Sequence, residues 1–224
     1  MARRSYGQYC GFARALEVVG ERWSFLIVRD LLVAAKRFTD LHRGLPGIPT
    51  NVLATRLKEL EEADVVRRRA QPRPERGVVY ELTAYGRELD EVVRSLGHWG
   101  AKALDDPRVG EVITPDSMIS AFRTTFRPSV AAGVRCTYEL RFGEIVLHAR
   151  IDDGELDVAV GPLPDADLTI TAGPGIKHLL TGAVSPQEAI ASGLVSIDGK
   201  IAFLERFARL FRIDAKPGQG IVSA

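Results

Sequence analysis

The sequence PTNVLATRLKELEEA, residues 49–63, carries the pattern that decides the fold of the first half of the chain. At about 100° per residue, Leu53, Leu57 and Leu60 fall on one face of a helix, and Thr50 is placed to be its N-cap. The opposite face holds small, polar and basic residues, namely Asn51, Ala54, Thr55 and Lys58, with Arg56 on its flank. Such side chains can approach base edges and phosphates, so the pattern predicts a helix that reads DNA.

A basic hairpin follows this helix directly. Two β-rich runs, residues 65–69 and 78–83, flank a segment rich in Pro and Gly at residues 71–77. Its tip carries Arg73 and Arg76, and its two prolines stiffen it. A stiff, basic hairpin beside a recognition helix is typical of a wing that reaches the minor groove or the backbone.

Three short helices precede this pair and a long one follows it. Apolar spacing predicts helices over residues 12–19, 23–33 and 38–45, and a long amphipathic helix over residues 85–104. The order helix–turn–helix–hairpin therefore predicts a winged helix-turn-helix domain.

The charge distribution agrees with this order. Residues 1–105 hold 18 Lys and Arg against 14 Asp and Glu, whereas the remainder holds 12 against 15. A basic front suits contact with a polyanion, and an acidic back does not. The sequence Asp105-Asp106-Pro107 marks the boundary, so we predict domains at residues 1–105 and 106–224.

The second half has the pattern of an α+β domain with an antiparallel sheet. Three strands alternate cleanly between residues 138 and 160, and further strands are predicted at residues 168–171 and 194–197. A capping box, Ser185 to Glu188 with Pro186 at the first helical position, predicts the start of a helix. A last helix is predicted over residues 200–212.

Several classes of protein are disfavoured. The chain has two cysteines, no catalytic signature and no histidine with a partner at ligand spacing, so we predict neither an enzyme nor a metal or cofactor site. No segment has the ~18 apolar residues that span a bilayer, and the N-terminus lacks the apolar stretch of a signal peptide. We expect a cytoplasmic protein with no membrane partner.

The first half resembles the HxlR-type winged-helix regulators of bacteria. The resemblance covers residues 8–104 and rests on the ordered motifs Gly20-Glu21-Arg22-Trp23, Arg29-Asp30-Leu31, Arg37-Phe38-Thr39-Asp40-Leu41, Pro46-Gly47-Ile48 and Tyr80-Glu81-Leu82-Thr83. It implies a homodimer that binds a roughly palindromic operator in double-stranded DNA, with one recognition helix in each half-site. The DNA contacts that it implies are Arg37, Thr50, Asn51, Thr55, Arg56, Lys58, Arg73 and Arg76.

The same resemblance assigns the first helix and the long helix to the dimer interface. The candidates are Phe12, Leu16, Leu89, Val93, Leu96 and Trp99, and the alternative for each is the core of the monomer. In some members of that family a cysteine near the N-terminus, followed by proline, senses oxidants. Here Cys10 precedes Gly11, so a redox sensor and an inert buried thiol both stay open.

The second half, residues 115–213, resembles the sterol carrier protein type two fold. The resemblance rests on Asp167-Leu168-Thr169-Ile170, Ser185-Pro186-Gln187-Glu188-Ala189 and Leu194-Val195-Ser196-Ile197-Asp198-Gly199. It implies a cavity for an apolar small molecule. The candidate pocket residues are Phe122, Phe126, Leu168, Ile170, Ile176, Leu179, Leu180, Ile190, Phe203 and Phe207, and the alternative is that they form an ordinary core.

These observations favour a transcription regulator whose affinity for DNA is modulated by an apolar ligand in the second domain. Three alternatives stay open. The chain could be a redox regulator that uses Cys10, a lipid carrier with a vestigial helix-turn-helix, or a regulator whose pocket is vestigial and only rigidifies the dimer.

Overall fold

A computed structural model describes residues 5–72 and 76–214. The chain divides into two compact units, residues 1–93 and 94–224. Both units mix helices and strands, as the α+β prediction requires. Within the described residues, no helix is long and apolar enough to cross a membrane.

The N-terminal unit has the predicted order of helices followed by a hairpin. Its elements are α1 (Gly11–Val19), α2 (Ser24–Val33), α3 (Phe38–Gly44), α4 (Thr50–Glu62), β1 (Val66–Gln71), β2 (Gly77–Leu82) and α5 (Ala84–Arg87). The next helix, α6 (Leu89–Ala101), contains the division between the two units.

Helix α4 confirms the predicted periodicity. Leu53, Leu57 and Leu60 are all buried in the apolar core of the unit. The prediction that Thr50 caps the helix was wrong by one residue, because Pro49 occupies the N-cap and Thr50 is the first helical residue. Pro49 has the extended backbone of a cap, and its carbonyl already accepts the Leu53 N–H at 3.0 Å.

The long helix predicted over residues 85–104 is instead two helices that meet at Glu88. Gly86 explains the geometry of the first, since a β-carbon there would collide with the carbonyl oxygen of Val65. The Gly86 N–H also binds the hydroxyl of Thr83, which caps α5. This packing fixes α5 against the start of the wing.

The wing is an antiparallel hairpin in which Arg67 lies opposite Glu81 and Arg69 opposite Val79. A backbone bridge between Lys36 and Tyr80 adds the segment before α3 to the outer side of β2. The hairpin is thus tied to the helix-turn-helix by hydrogen bonds, which limits its freedom to move.

The C-terminal unit contains a five-stranded sheet and several helices. Its elements are α7 (Pro115–Thr125), β3 (Arg135–Phe142), β4 (Ile145–Asp152), β5 (Glu155–Val160), β6 (Leu168–Ala172), α8 (Ile176–Thr181), α9 (Pro186–Ala191), β7 (Val195–Gly199) and α10 (Ile201–Leu210). The capping box predicted at Ser185 and Glu188 is confirmed at the start of α9.

The sheet order is β5-β4-β3-β6-β7. Its pairs are antiparallel except for β3 and β6, which are parallel, a departure from the predicted all-antiparallel sheet. The loop after β5 must cross β4 and β3 to reach the position of β6. There β6 begins parallel to β3. Glu139 anchors this loop by accepting the Leu163 N–H at 2.8 Å.

Candidate nucleic-acid interface and ligand cleft

The outward face of α4 presents the side chains predicted to read DNA. Asn51, Thr55 and Lys58 are all exposed. The Thr55 hydroxyl donates to the Asn51 carbonyl at 2.9 Å, and the Lys58 ammonium lies 3.7 Å from a Glu62 carboxylate oxygen. The Lys58 side chain nevertheless keeps 75% of its surface exposed. These groups are therefore free to reach bases and phosphates.

The first residue of α4 has a neighbour that sequence reasoning missed. The Thr50 hydroxyl lies 3.3 Å from Nε2 of His42, an exposed residue of α3. The contact joins the two helices at the N-terminal end of α4. The local sequence does not predict this contact, because the contact depends on how α3 packs beside α4.

Arg56 lies apart from this face. Only 19% of its side chain is exposed, and its guanidinium pairs with Glu59 and, at 3.4 Å, with Glu21. The second pair ties α4 to the turn before α2. The structure thus gives Arg56 a role in holding the helix-turn-helix together, and its predicted DNA contact stays a prediction.

The arginines of β1 are also paired within the unit. Glu81 accepts hydrogen bonds from Arg67 at 2.9 Å and from Arg69 at 2.8 Å, while Arg68 forks onto the carboxylate of Glu61. The guanidinium of Arg69, followed by that of Arg67, lowers the pKa of Glu81. These carboxylates fix the base of the wing and offset part of its charge.

Arg37 and Arg76 lie on the exposed side of the wing region. Arg37 donates to the Gln71 side-chain oxygen at 3.1 Å, and its guanidinium lies beside Gly77, so it is held at the base of the hairpin. Arg76 is exposed. The other residue predicted at the tip of the wing, Arg73, lies outside the described residues.

A helix-turn-helix with an exposed polar recognition face, followed by a tethered basic hairpin, defines the winged-helix class of DNA-binding proteins. Comparison with models of protein families identifies the family within this class. A model described as HxlR-like helix-turn-helix matches residues 18–107, and one described as SCP-2 sterol transfer family matches residues 131–212. The chain belongs to the HxlR-like helix-turn-helix family and carries an SCP-2 domain after it.

Curated relatives agree for the first half of the chain. The HTH-type transcriptional regulator YvaP of Bacillus subtilis is 34% identical over 94 residues, which are 42% of this chain and 87% of YvaP. The HTH-type transcriptional regulator YodB of the same species is 36% identical over 85 residues, covering 38% of this chain and 76% of YodB.

A solved structure, described as quinone-bound YodB from B. subtilis, is 34% identical to this chain. It aligns with 40% of this chain and 93% of its own, with a TM-score of 0.35. Together, the family matches and the curated relatives identify a transcriptional regulator of the helix-turn-helix type that carries an SCP-2 domain.

The six dimer candidates differ in exposure. Phe12, Leu96 and Trp99 are exposed, with 72% of Trp99 accessible, whereas Leu16 and Leu89 are half-buried. Val93 is buried in the core of the N-terminal unit, where Leu89 also packs. The exposed members on α6 suit an interface with a second copy, and the position of Val93 suits the monomer core.

Cys10 is an exposed free thiol at the N-cap of α1. The backbone N–H groups of Ala13 and Phe12 lower the pKa of this thiol. The thiol is therefore not buried within the single chain, and its role as a redox sensor stays a prediction. Cys136 is the buried cysteine.

The ten predicted pocket residues are all at least half-buried in the C-terminal unit. Seven are buried and Phe126, Ile190 and Phe203 are half-buried. Phe122 and Phe207 stack edge-on with a centroid separation of 6.1 Å, and Tyr138 lies 5.2 Å from Phe207. Such interlocked rings are what an ordinary core shows, and the assignment of these residues to a pocket stays a prediction.

Two surface clefts lie near this group. One, of about 540 Å³, lies along the segment after α8 and along α10 and includes Leu179. The other, of about 460 Å³, lies along β7 and includes Ile190. Within residues 5–72 and 76–214, no three metal-binding side chains are grouped as a metal ion would require.

Proposed function

We propose that this chain is a transcriptional regulator that binds operator DNA as a homodimer and whose DNA affinity depends on an apolar small molecule held by the SCP-2 domain. The observation that carries the proposal is the exposed polar face of α4 in a chain that also has a domain of the sterol transfer family. A DNA-binding domain joined to a domain of a lipid-binding family is suited to couple the binding of DNA to the binding of a small molecule.

The recognition elements would act in two ways. Asn51 and Thr55 are short enough to approach base edges, while Lys58 and Arg76 carry the positive charge that phosphates attract. Arg37 would add a contact at the base of the wing. Coupling of about 1–3 kcal/mol between the two ligands would change operator affinity 5- to 150-fold.

Native mass spectrometry of the full chain tests the dimer and the ligand together. A dimer that carries a defined extra mass supports both, and extraction then identifies the ligand. Adding the extracted compound to the ligand-free protein should change its affinity for a duplex selected from a random-sequence library. A monomer at micromolar concentration, or an unchanged affinity with the compound bound, would count against the proposal.

A second candidate function rests on Cys10. Its exposure and the N–H groups that lower its pKa give it the properties of a thiol that oxidants can reach. The variant Cys10→Ser separates this function from the first. An operator response to hydrogen peroxide that disappears in the variant supports redox sensing, and a response that persists excludes Cys10 as the sensor.

A further inference from the structure

The C-terminal unit has an open cleft between the segment that joins α8 to α9 and the last turns of α10. Its volume of about 540 Å³ falls in the range of roughly 300–1,000 Å³ that small-molecule sites occupy. Apolar walls come from Leu179, Val184, Pro186 and Ala208. The cleft thus offers both room and apolar surface.

Arg212 is held at this cleft by its backbone. Its N–H donates to the Thr125 carbonyl at 2.8 Å, and the N–H of Ile213 donates to the Leu180 carbonyl at 3.0 Å. The guanidinium packs against Gly182, where a β-carbon would collide with it. Gly182 also has a φ of +71°, which favours glycine. The half-buried Arg212 therefore has a fixed backbone at the cleft, and its guanidinium lies against Gly182.

The two arginines of the cleft have unused donors. Among the described residues, neither Arg209 nor Arg212 makes an ion pair or a side-chain hydrogen bond. A guanidinium has five N–H donors in a planar fork that matches a carboxylate. The half-burial of Arg212 removes part of its water without supplying an anion, and a bound carboxylate would replace that water.

The two carboxylates of the cleft already have hydrogen-bond partners in its wall. Glu188 accepts the Ser185 N–H at 2.8 Å, and Glu205 accepts the side-chain amide of Gln187 at 2.7 Å. Two arginines and two glutamates leave the walls without net charge at neutral pH. The two glutamates would repel the several negative charges of a polyphosphate more strongly than the single charge of a carboxylate. The cleft therefore suits a ligand with one negative charge better than a polyphosphate.

We propose that this cleft binds a small organic monocarboxylate, with its carboxylate on Arg212 and Arg209 and its apolar body on Leu179, Val184 and Ala208. The inference rests on the proposed function, since it names the ligand class to which the regulator would respond. It places that ligand beside the packed aromatic group rather than within it.

Calorimetric titration of the full chain with octanoate, and with 1-octanol as the uncharged counterpart, tests the assignment. The double variant Arg209→Gln/Arg212→Gln should weaken octanoate binding about 10-fold or more, because charge-assisted hydrogen bonds are lost. It should leave 1-octanol binding unchanged. The control Arg150→Gln, on a strand of the same unit, should bind octanoate like the wild type.

Equal octanoate affinity in the wild type and the double variant would overturn the inference. So would the absence of saturable octanoate binding to the wild type up to about 10 mM. Operator affinity is measured separately on the same proteins. If octanoate binds through the arginines but leaves operator affinity unchanged, the cleft assignment stands and the proposed regulation fails.

Discussion

Asn51, Thr55 and Lys58, which we expect to contact DNA, are exposed on α4, whereas the rings of Phe122 and Phe207, predicted to line a pocket in the C-terminal unit, are buried and in contact. On α4 the buried leucines and the exposed Asn51 and Lys58 occupy opposite faces of one helix. In the C-terminal unit, Phe122 and Phe207 are buried, and their ring centroids lie 6.1 Å apart. A surface that binds DNA needs exposure, and a pocket needs empty volume.

This difference changes what each residue pattern can predict. Helical periodicity separates an inner from an outer face, so it locates an exposed recognition surface directly. A sequence pattern of apolar residues does not show whether those residues line a cavity or fill a core. The distinction comes from three-dimensional packing, which substitution of a buried ring can probe.

The largest effect is expected at Phe207. Its ring is fully buried, with the ring centroids of Phe211 and Tyr138 at 4.6 and 5.2 Å. If these rings are core, Phe207→Ala leaves a cavity and lowers the free energy of unfolding by about 3–5 kcal/mol. Urea denaturation of the full chain, with the transition of each unit fitted separately, measures the change.

A matched control for Phe207 lies on the same helix. Ile201 is 39% exposed, so Ile201→Ala should cost less than about 1 kcal/mol. A similarly small cost at Phe207, together with a changed ligand affinity, would identify Phe207 as a pocket wall and contradict the packed-core interpretation.

The next effect concerns the exposed apolar side of α6. Trp99→Glu places a charge where we expect a second copy to pack, and should raise the dimer dissociation constant about 30-fold or more, as loss of a buried aromatic anchor does. Sedimentation velocity over a concentration series gives this constant. Val160→Glu, at an exposed position on β5, should leave it unchanged; equal effects would place the interface elsewhere.

The third prediction concerns Glu139, which anchors the loop after β5 to the sheet. The Leu163 N–H, aided by Arg141, lowers the pKa of this buried carboxyl below its ordinary value of 4.5. Its stabilising contribution is therefore complete above that value and is lost as the pH falls through the lowered pKa. At pH 7, Glu139→Gln should cost about 1–3 kcal/mol.

The pH dependence distinguishes this effect from simple loss of packing. Thermal unfolding of wild type and Glu139→Gln should differ most at neutral pH and converge in acid. Glu144→Gln, at an exposed turn of the same unit, should match the wild type throughout. A Glu139→Gln deficit that stays constant down to about pH 3 would exclude the carboxylate charge as its cause.

The smallest effect is expected at the wing. Glu81→Gln weakens the ion pairs with Arg67 and Arg69, whose side chains are partly exposed, so the cost should be about 1 kcal/mol. The midpoint of urea denaturation of the N-terminal unit measures it, with Glu91→Gln as an exposed control. A cost at Glu81 no larger than that at Glu91 would show that the wing does not depend on this carboxylate.

Local signals in the sequence predicted the elements well. The leucine spacing of α4 and the capping box at Ser185 each depend on neighbours within a few residues, and both are confirmed. The wing was predicted for the same reason, since a turn rich in Pro and Gly lies between two β-rich runs. Signals of this kind also support the family assignment of the first half.

Features that depend on distant neighbours were missed. The parallel pairing of β3 with β6 depends on the path of the loop after β5, and the pairing of Arg56 depends on Glu21, which lies 35 positions earlier. Glu81 could have been found, because antiparallel pairing across the hairpin places it opposite Arg67. The Arg212 cleft has no pattern in the sequence at all.

The expected DNA face of α4 and the wing is tested by the affinity of the full chain for a selected operator duplex, measured by fluorescence anisotropy over a range of salt concentrations. Two charge-matched variants are compared with the wild type. One is Lys58→Glu/Arg76→Glu on the DNA face, and the other is Arg150→Glu/Lys200→Glu in the C-terminal unit. Both change the net charge equally.

We expect Lys58→Glu/Arg76→Glu to abolish operator binding at about 100 mM salt. At lower salt it should reduce the slope of log affinity against log salt by about 2, for two lost phosphate contacts. The control variant should keep the affinity and slope of the wild type. Equal binding by both variants, or equal loss, would contradict the assignment of the DNA face to α4 and the wing.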